Sequence, residues 1–242
     1  MKTTTYNLKA GQGTQAFTLV ELLVVIAIIG IVSSMVVAGI GQVKYKKWES
    51  GTKTQLAKLE LAIDSYKSVF GSYPPDNLAA AALRPDRNPL AYELGGVRRN
   101  GLDYTSESLP THTVTTAMLA GYFNLGGLVN VQPTNVPPAP LINHKYALPL
   151  RGTGLTADYV ITDPTRGQLG GLGGPPAMFL QVPAQKPDTN NSSNVTFQDM
   201  GPNVWLYRAL PVGGHNPKSY DLWAEIKKKG AGTNAHIIGN WK

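Results

Sequence analysis

Residues 17–40 read FTLVELLVVIAIIGIVSSMVVAGI, an apolar block in which Glu21 is the single ionisable side chain. As an α-helix this block spans about 36 Å, enough to cross a hydrocarbon core of about 30 Å. The preceding residues 1–16, MKTTTYNLKAGQGTQA, are polar. A secretory signal has a shorter apolar stretch that is followed by a small-residue cleavage site. The block therefore predicts a membrane-spanning helix that stays on the chain, and an uncleaved signal anchor is its plainest form.

Glu21 is out of place in such a helix, because a charged side chain near the bilayer centre costs about 3 kcal/mol or more. The nearest lysines in the sequence are Lys9 and Lys44, and neither lies within reach along the helix. A cut between Ala16 and Phe17 would create an α-amine one helical turn from Glu21, since residues i and i+4 share a helix face. That amine, from the same chain or from a neighbour, is the expected partner of the carboxylate.

The stretch from Ala16 to Gly30, AFTLVELLVVIAIIG, resembles the prepilin leader of the type IV pilin and type II secretion pseudopilin superfamily. The resemblance implies that a membrane-embedded aspartyl prepilin peptidase cuts between Ala16 and Phe17 on the cytoplasmic side and methylates Phe17. Glu21 is then the glutamate needed for filament assembly. The family usually has Gly before the cut, whereas this chain has Ala16, which is also small.

The helical pattern continues beyond the apolar block, so residues 41–70 are predicted to extend the same helix. Apolar residues recur there at steps of three and four, which is typical of one stripe on an α-helix. The stripe is expected to pack on the chain's own domain, while residues 17–50 contact neighbouring subunits in a filament. Gly71 and the prolines after it end the helix. The stripe consists of Leu56, Leu59, Ile63, Tyr66 and Phe70.

Residues 66–77, YKSVFGSYPPDN, are similar to the point where the major pseudopilin of type II secretion leaves its long helix, with matches at Tyr66, Gly71, Tyr73 and Pro74. The fold class that follows is α+β and pilin-like, with a long N-terminal transmembrane helix packed on a small antiparallel sheet domain. Residues 71–242 form that domain, and residues 78–200 are an expected insertion.

Local patterns predict further elements in this domain. Strands are predicted over Asp158–Asp163, bounded by Pro164, and over Val204–Leu210 and Ser219–Ile226. Short helices are predicted over Ala79–Leu83 and Thr115–Tyr122, and loops over Pro133–Pro140 and Pro175–Pro187.

The chain's end, Ala235–Trp241, imperfectly matches the A-D-I-x-N-W ending of major pseudopilins, whose glycine-rich loop commonly holds a structural Ca²⁺. His236 stands where the family has an acid, and Lys227–Lys229 stand where acids are expected. Calcium needs six to eight oxygen ligands. We therefore expect no calcium site, or at most a displaced one that uses Asp221, and no other cofactor.

Composition and motifs argue against an enzyme. The chain has no Cys, which excludes disulfides, thiolate metal sites and a cysteine nucleophile. Its glycine-rich stretch 167–174 lacks a phosphate-loop pattern, no GxSxG elbow is present, and the histidines show no ligand pairing. No catalytic or metal residue is assigned, and Arg98-Arg99 and Lys227–Lys229 are interpreted as solvated surface without specific nucleic-acid binding. The histidines are His112, His144, His215 and His236.

The resemblance implies a structural subunit of a pseudopilus-like filament that acts in type II secretion-like export. The implied partners are prepilin peptidase, identical or homologous pilin-like subunits, membrane lipid, and an inner-membrane assembly platform with its ATPase. The alternatives are a type IV pilus subunit for adhesion, motility or DNA uptake, and a signal-anchored periplasmic enzyme or binding domain. Absence of a Cys pair weakens the pilus alternative, because many such pilins close a C-terminal loop with a disulfide.

The implied location is the bacterial inner membrane, as a single-pass protein with a cytoplasmic N-terminus and a periplasmic C-terminal domain. Flanking charge favours the opposite orientation, because Lys44, Lys46 and Lys47 outnumber Lys2 and Lys9. The topology is taken from the family, since the peptidase needs access to the cleavage site.

Overall fold

The computed structural model describes residues 17–77, 84–132, 160–168, 174–187, 202–209, 214–227 and 235–241. The chain divides into two compact units, and the division lies between Val43 and Lys44. The arrangement is α+β, with one long N-terminal helix and several sheets in the second unit, as predicted.

The long helix α1 runs from Leu19 to Phe70 over 52 residues. It contains a stretch long and apolar enough to cross a membrane. It ends at Gly71, which has a φ of +80° and donates its N–H to the carbonyl of Lys67 at 2.8 Å. A glycine in the left-handed region just after the last turn is a common helix stop. The predicted continuation to residue 70 and the predicted stop are both confirmed.

The second unit contains three sheets in the part of the chain that is described. A four-stranded sheet has the order β3-β2-β1-β4, in which β1 and β4 are parallel and the other pairs antiparallel. Its strands are β1 (Val97–Asn100), β2 (Asp103–Ser106), β3 (Thr113–Thr115) and β4 (Val131–Gln132). Two short helices accompany it, α2 (Leu90–Gly95) and α3 (Thr116–Phe123).

Two antiparallel sheets follow along the chain. One pairs β5 (Val160–Gln168) with β6 (Pro176–Leu180). The other has the order β7-β8-β9, with β7 (Leu206–Ala209), β8 (Tyr220–Lys227) and β9 (Ala235–Gly239). The register pairs Trp223 of β8 with Leu206 on one side and Gly239 on the other.

The core joins the second half of α1 to these sheets. Leu56, Leu59, Ile63 and Tyr66 are buried and Phe70 is partly buried, in one cluster with residues of all three sheets. The predicted apolar stripe is therefore confirmed. Such burial contributes about 1.5–3 kcal/mol for each fully buried large apolar side chain.

A buried carboxylate also holds α1 in place. Glu93 of α2 accepts hydrogen bonds from the hydroxyl of Tyr66 at 3.0 Å and from the backbone amides of Val129 and Asn130, both at 2.9 Å. Burial raises the pKa of Glu93, and these donors partly offset that effect. One side chain thus ties α1 and α2 to the turn that leads into β4.

Several local predictions are confirmed in outline. The predicted helix Thr115–Tyr122 is α3, with Thr115 as its N-cap residue. The predicted strands Val204–Leu210 and Ser219–Ile226 correspond to β7 and β8. The predictions for Ala79–Leu83 and Pro133–Pro140 lie outside the described residues.

Two predictions based on proline were wrong. The loop predicted over Pro175–Pro187 contains β6, where Ala177–Leu180 are buried. Proline is tolerated at the first position of a strand, and Pro176 occupies that position. The strand predicted to stop before Pro164 instead runs from Val160 to Gln168. Its pairing with β6 is irregular between Asp163 and Gln168, and Pro164 lies in this irregular stretch, where a strand tolerates proline.

Candidate functional site

The first turn of α1 holds Glu21 in a defined position. The carboxylate oxygen Oε2 accepts hydrogen bonds from the backbone amide and the hydroxyl of Thr18, both at 2.8 Å. The amide of Glu21 donates to Oγ1 of Thr18 at 3.2 Å. This reciprocal pattern is a capping box, in which Thr18 is the N-cap residue and Glu21 the third residue of the helix.

Thr18 is a residue that the sequence analysis missed. The signal was available, because Thr18-Leu19-Val20-Glu21 has the T-x-x-E spacing of a capping box before an apolar run. The capping box means that Glu21 has local donors in addition to the amine expected from cleavage. Both bonds to the carboxylate use Oε2, and among the described residues no hydrogen bond uses Oε1, which leaves that oxygen available to a further donor.

Phe17 and Ala16 form the expected cleavage pair. Phe17 directly precedes the N-cap residue, and its side chain is 74% exposed. Ala16 lies outside the described residues. The assignments of cleavage to this pair, of methylation to Phe17 and of assembly to Glu21 stay predictions.

The apolar side chains that follow Glu21 are exposed. From Leu19 to Val36, every side chain of α1 is accessible, and Leu19 and Met35 are more than 70% exposed. A large continuous apolar surface marks a membrane or protein contact. The site is therefore a polar first turn placed at the start of an apolar helix surface.

The C-terminal end of the domain shows what surrounds Asp221, the residue considered for a displaced calcium site. Its oxygens accept the backbone amides of His215 at 2.9 Å and Asn216 at 2.8 Å. The His215 ring stacks on Trp241 with centroids 4.0 Å apart. Among the described residues, no three His, Asp or Glu side chains stand together as a metal site would require. In this structure the carboxylate of Asp221 is occupied by these two backbone amides. The absence of a calcium site stays a prediction.

The remaining histidines have structural surroundings where they are described. His112 is buried against the Tyr92 hydroxyl, with 2.8 Å between that oxygen and Nε2, and burial lowers the pKa of His112. His236 lies on β9 with Nε2 3.9 Å from Oε1 of Glu49 on α1. His144 lies outside the described residues.

The basic pair on β1 also has local partners. Arg98 forms a salt bridge with Glu107 at 3.0 Å, and the guanidinium of Arg99 lies 5.6 Å from the ring centroid of Tyr104. These contacts fit the interpretation of Arg98-Arg99 as surface.

Comparison with protein-family models finds a match to the prokaryotic N-terminal methylation motif over residues 12–37. The match includes Ala16, Phe17 and Glu21 and covers the capping box. The motif is a type IV pilin-like signal, and it implies processing by prepilin peptidase and assembly with pilin-like subunits. No curated protein and no solved structure matches the chain. The likeness of the C-terminal domain to major pseudopilins therefore rests on the residues quoted above.

Proposed function

We propose that this protein is a structural subunit of a pseudopilus-like filament in a type II secretion-like export system. The observation that carries the proposal is that the methylation motif includes Glu21, which caps the first turn of an exposed apolar helix. An enzyme or binding domain held by a simple anchor would use Glu21 only to cap the helix and would need no cationic partner for it.

Processing prepares the subunit for assembly. Prepilin peptidase hydrolyses the bond between Ala16 and Phe17, and the new amine of Phe17 is then methylated. The amine stays a cation after a single methylation, so it still pairs with a carboxylate. Thr18 occupies one oxygen of Glu21, and the other oxygen is open to this ammonium group from the same chain or a neighbour.

Assembly replaces lipid by protein around the apolar half of α1. The assembly platform and its ATPase would lift the subunit from the membrane, and removal of the span from lipid is unfavourable unless neighbouring apolar helices cover it. An ion pair at Glu21 sets the axial register, because an unpaired buried charge is strongly destabilising. The GSYP stretch at residues 71–74 and the C-terminal resemblance favour export over a type IV pilus.

The first test is the intact mass and N-terminal sequence of the protein isolated from native membranes. A terminus at Phe17 that carries one methyl group is expected. A chain that starts at Met1, or one cut after residue 40, would favour the signal-anchored domain over a filament subunit. Loss of export on deletion of the protein would separate a pseudopilin from a pilus subunit, whose loss removes surface fibres and leaves secretion unchanged.

Substitutions at Glu21 test the mechanism. Glu21→Gln keeps a carbonyl oxygen for the Thr18 bonds and removes the charge, whereas Glu21→Ala removes both. Both variants are expected to be cleaved normally and to lower the yield of sheared filaments at least tenfold, because the register-setting ion pair is lost. A wild-type yield from Glu21→Gln would show that charge at this position is dispensable for assembly.

A further inference from the structure

Three lysines follow the apolar block closely along α1. Lys44, Lys46 and Lys47, here called the lysine collar, begin four residues after Ile40, and their side chains are exposed. Cleavage after Ala16 would remove Lys2 and Lys9. The collar is then the densest positive charge next to the apolar block, on the side opposite to the usual bias of flanking charge.

The collar lies away from the helix face that packs on the domain. At 3.6 residues per turn, the three lysines project about 80–140° from the mean direction of the buried stripe. Tyr45 and Trp48 project within about 40° of that direction, and both are half-buried. The lysines therefore remain accessible to a partner while the two aromatic rings beside them are partly covered by the domain.

The charge of the collar is only weakly offset nearby, because Glu49 pairs with Lys53 and has only a longer-range attraction to Lys46. Glu49 is the only acid between residues 22 and 59, and its Oε1 is 2.6 Å from Nζ of Lys53. No salt bridge in the described part of the chain includes a collar lysine. Nζ of Lys44 lies 5.7 Å from the ring centroid of Trp48. The collar thus offers exposed ammonium groups beside a tryptophan, a residue that favours the membrane interface.

We infer that the lysine collar binds the headgroups of anionic phospholipids where α1 leaves the bilayer. The inference rests on the proposed function only in that α1 is taken as a membrane helix. A rise of 1.5 Å per residue places Lys44 about 6 Å beyond Ile40, and the headgroup layer on each side is about 5–8 Å thick. Lys46 and Lys47 follow about 9 and 10.5 Å beyond Ile40, and their long side chains can extend back to the headgroups. This placement favours lipid over an acidic protein surface as the partner.

The consequence is an electrostatic hold on the unassembled subunit. Polybasic segments beside a membrane helix are attracted to anionic lipid, and the attraction falls off within a Debye length of the surface. Extraction of the subunit into a filament must break this hold, so the collar makes release dependent on the lipid composition and on salt.

Trp48 provides a direct readout, because it follows Lys47 in the chain, its ring centroid lies 5.7 Å from Nζ of Lys44, and its side chain is only half-buried. The full-length protein is reconstituted in phosphatidylcholine vesicles that contain increasing fractions of brominated phosphatidylglycerol or of brominated phosphatidylcholine. Quenching of Trp48 then gives the relative association constant of the two lipids at this position. The Trp48→Phe variant supplies the background from the three other tryptophans, which are Trp205, Trp223 and Trp241.

Wild-type protein is expected to prefer phosphatidylglycerol about fivefold or more in 0.15 M salt, and to lose most of the preference in 1 M salt. The triple variant Lys44→Gln, Lys46→Gln, Lys47→Gln should bind the two lipids about equally. A matched control, Lys58→Gln, Lys67→Gln, Lys218→Gln, removes the same charge elsewhere and should keep the wild-type preference.

Three results would overturn the inference. An unchanged preference in the collar variant would assign lipid selection to other groups, and equal quenching of the wild type by both lipids would mean contact without selection. Absence of Trp48 quenching by either lipid would place the collar against a protein partner. The proposed function is tested separately, by the N-terminal sequence and the filament yield. A negative result in the lipid experiment therefore does not affect that test.

Discussion

The two halves of α1 have the same secondary structure and opposite surroundings. Leu23 in the first half is 56% exposed, whereas Leu59 in the second half is fully buried. Backbone hydrogen bonds satisfy a helix internally in either case, so the helix itself does not distinguish the halves. Their side chains do, because the second half is covered by the chain's own sheets and the first half needs a cover from outside the chain. A filament subunit that passes from lipid to neighbouring helices requires this division.

The largest effect expected from this comparison is on stability. Leu59→Ala should lower the free energy of unfolding of the C-terminal unit by about 2–5 kcal/mol, because it removes buried methyl groups and leaves a cavity. Leu23→Ala, the same change in the exposed half, should leave that free energy within about 0.5 kcal/mol. Urea unfolding of the full chain in detergent, followed by tryptophan fluorescence, measures both.

Two outcomes would contradict this division of the helix. One is a loss of domain stability in Leu23→Ala comparable to that in Leu59→Ala. The other is a negligible loss in Leu59→Ala. Should Leu59→Ala fail to fold, Ile63→Val at the neighbouring buried position removes a single methylene and is expected to cost about 0.5–1.5 kcal/mol.

The sequence could predict the parts of this molecule that depend on local pattern. The long helix, its apolar stripe and its stop at Gly71 follow from periodicity and from the conformational freedom of glycine. Strand β8 follows from its aromatic residues, Tyr220 and Trp223, and from Ile226. The T-x-x-E signal of the capping box is equally local, because it lies within the four residues Thr18 to Glu21.

The parts that depend on distant contacts could not be predicted. Strands β1 to β4 are two to four residues long, and β1 and β2 read VRRN and DYTS, without an apolar alternation. Their sheet is tied in by Glu93, which meets residues 36 and 37 positions further along the chain. A repeat of apolar residues in a short stretch of sequence cannot show that Glu93 is buried, because the groups that surround it come from distant parts of the chain.

Glu93 gives the second prediction, which concerns how the buried half of α1 is anchored. Both carboxylate oxygens accept backbone amides, so Glu93→Gln must set an NH₂ group against an N–H donor. We expect a loss of about 1–3 kcal/mol in the free energy of unfolding, the cost of an unsatisfied buried group. Glu107→Gln, at the surface pair with Arg98, is the control and should cost less than about 1 kcal/mol.

The pH dependence of stability sharpens this prediction. Burial raises the pKa of Glu93 above its unfolded value, so the folded state holds the proton more tightly. The contribution of Glu93 to stability is then largest below the unfolded pKa and falls as pH rises towards the folded pKa. Asp76 and Glu225, whose pKa values burial also raises, contribute equally in the wild type and the variant.

The difference between the two proteins therefore isolates Glu93. Urea midpoints measured from pH 4 to pH 8 should fall less steeply in Glu93→Gln than in the wild type. A steeper fall in the variant, or identical slopes, would mean that the three hydrogen-bond donors outweigh burial and keep Glu93 ionised throughout this range.

The smallest effect is expected at the exposed end of α1. Thr18→Val keeps the shape of the side chain and removes the oxygen that accepts the Glu21 amide. Loss of an N-cap side chain costs about 1 kcal/mol, which should raise hydrogen exchange at the Glu21 amide about fivefold in detergent. Thr54→Val, at an exposed position in the other half of the helix, is the control and should leave that amide unchanged.

The consequence of Thr18→Val differs from that of substitutions at Glu21. The charge at Glu21 is retained, so an ammonium group still has its partner. The carboxylate keeps the bond from the backbone amide of residue 18 and loses the bond from the Thr18 hydroxyl. Filament yield should therefore fall several-fold less than in Glu21→Gln, while domain stability is unchanged because the first half of α1 is not part of the core. Equal losses in the two variants would mean that the position of the carboxylate matters as much as its charge.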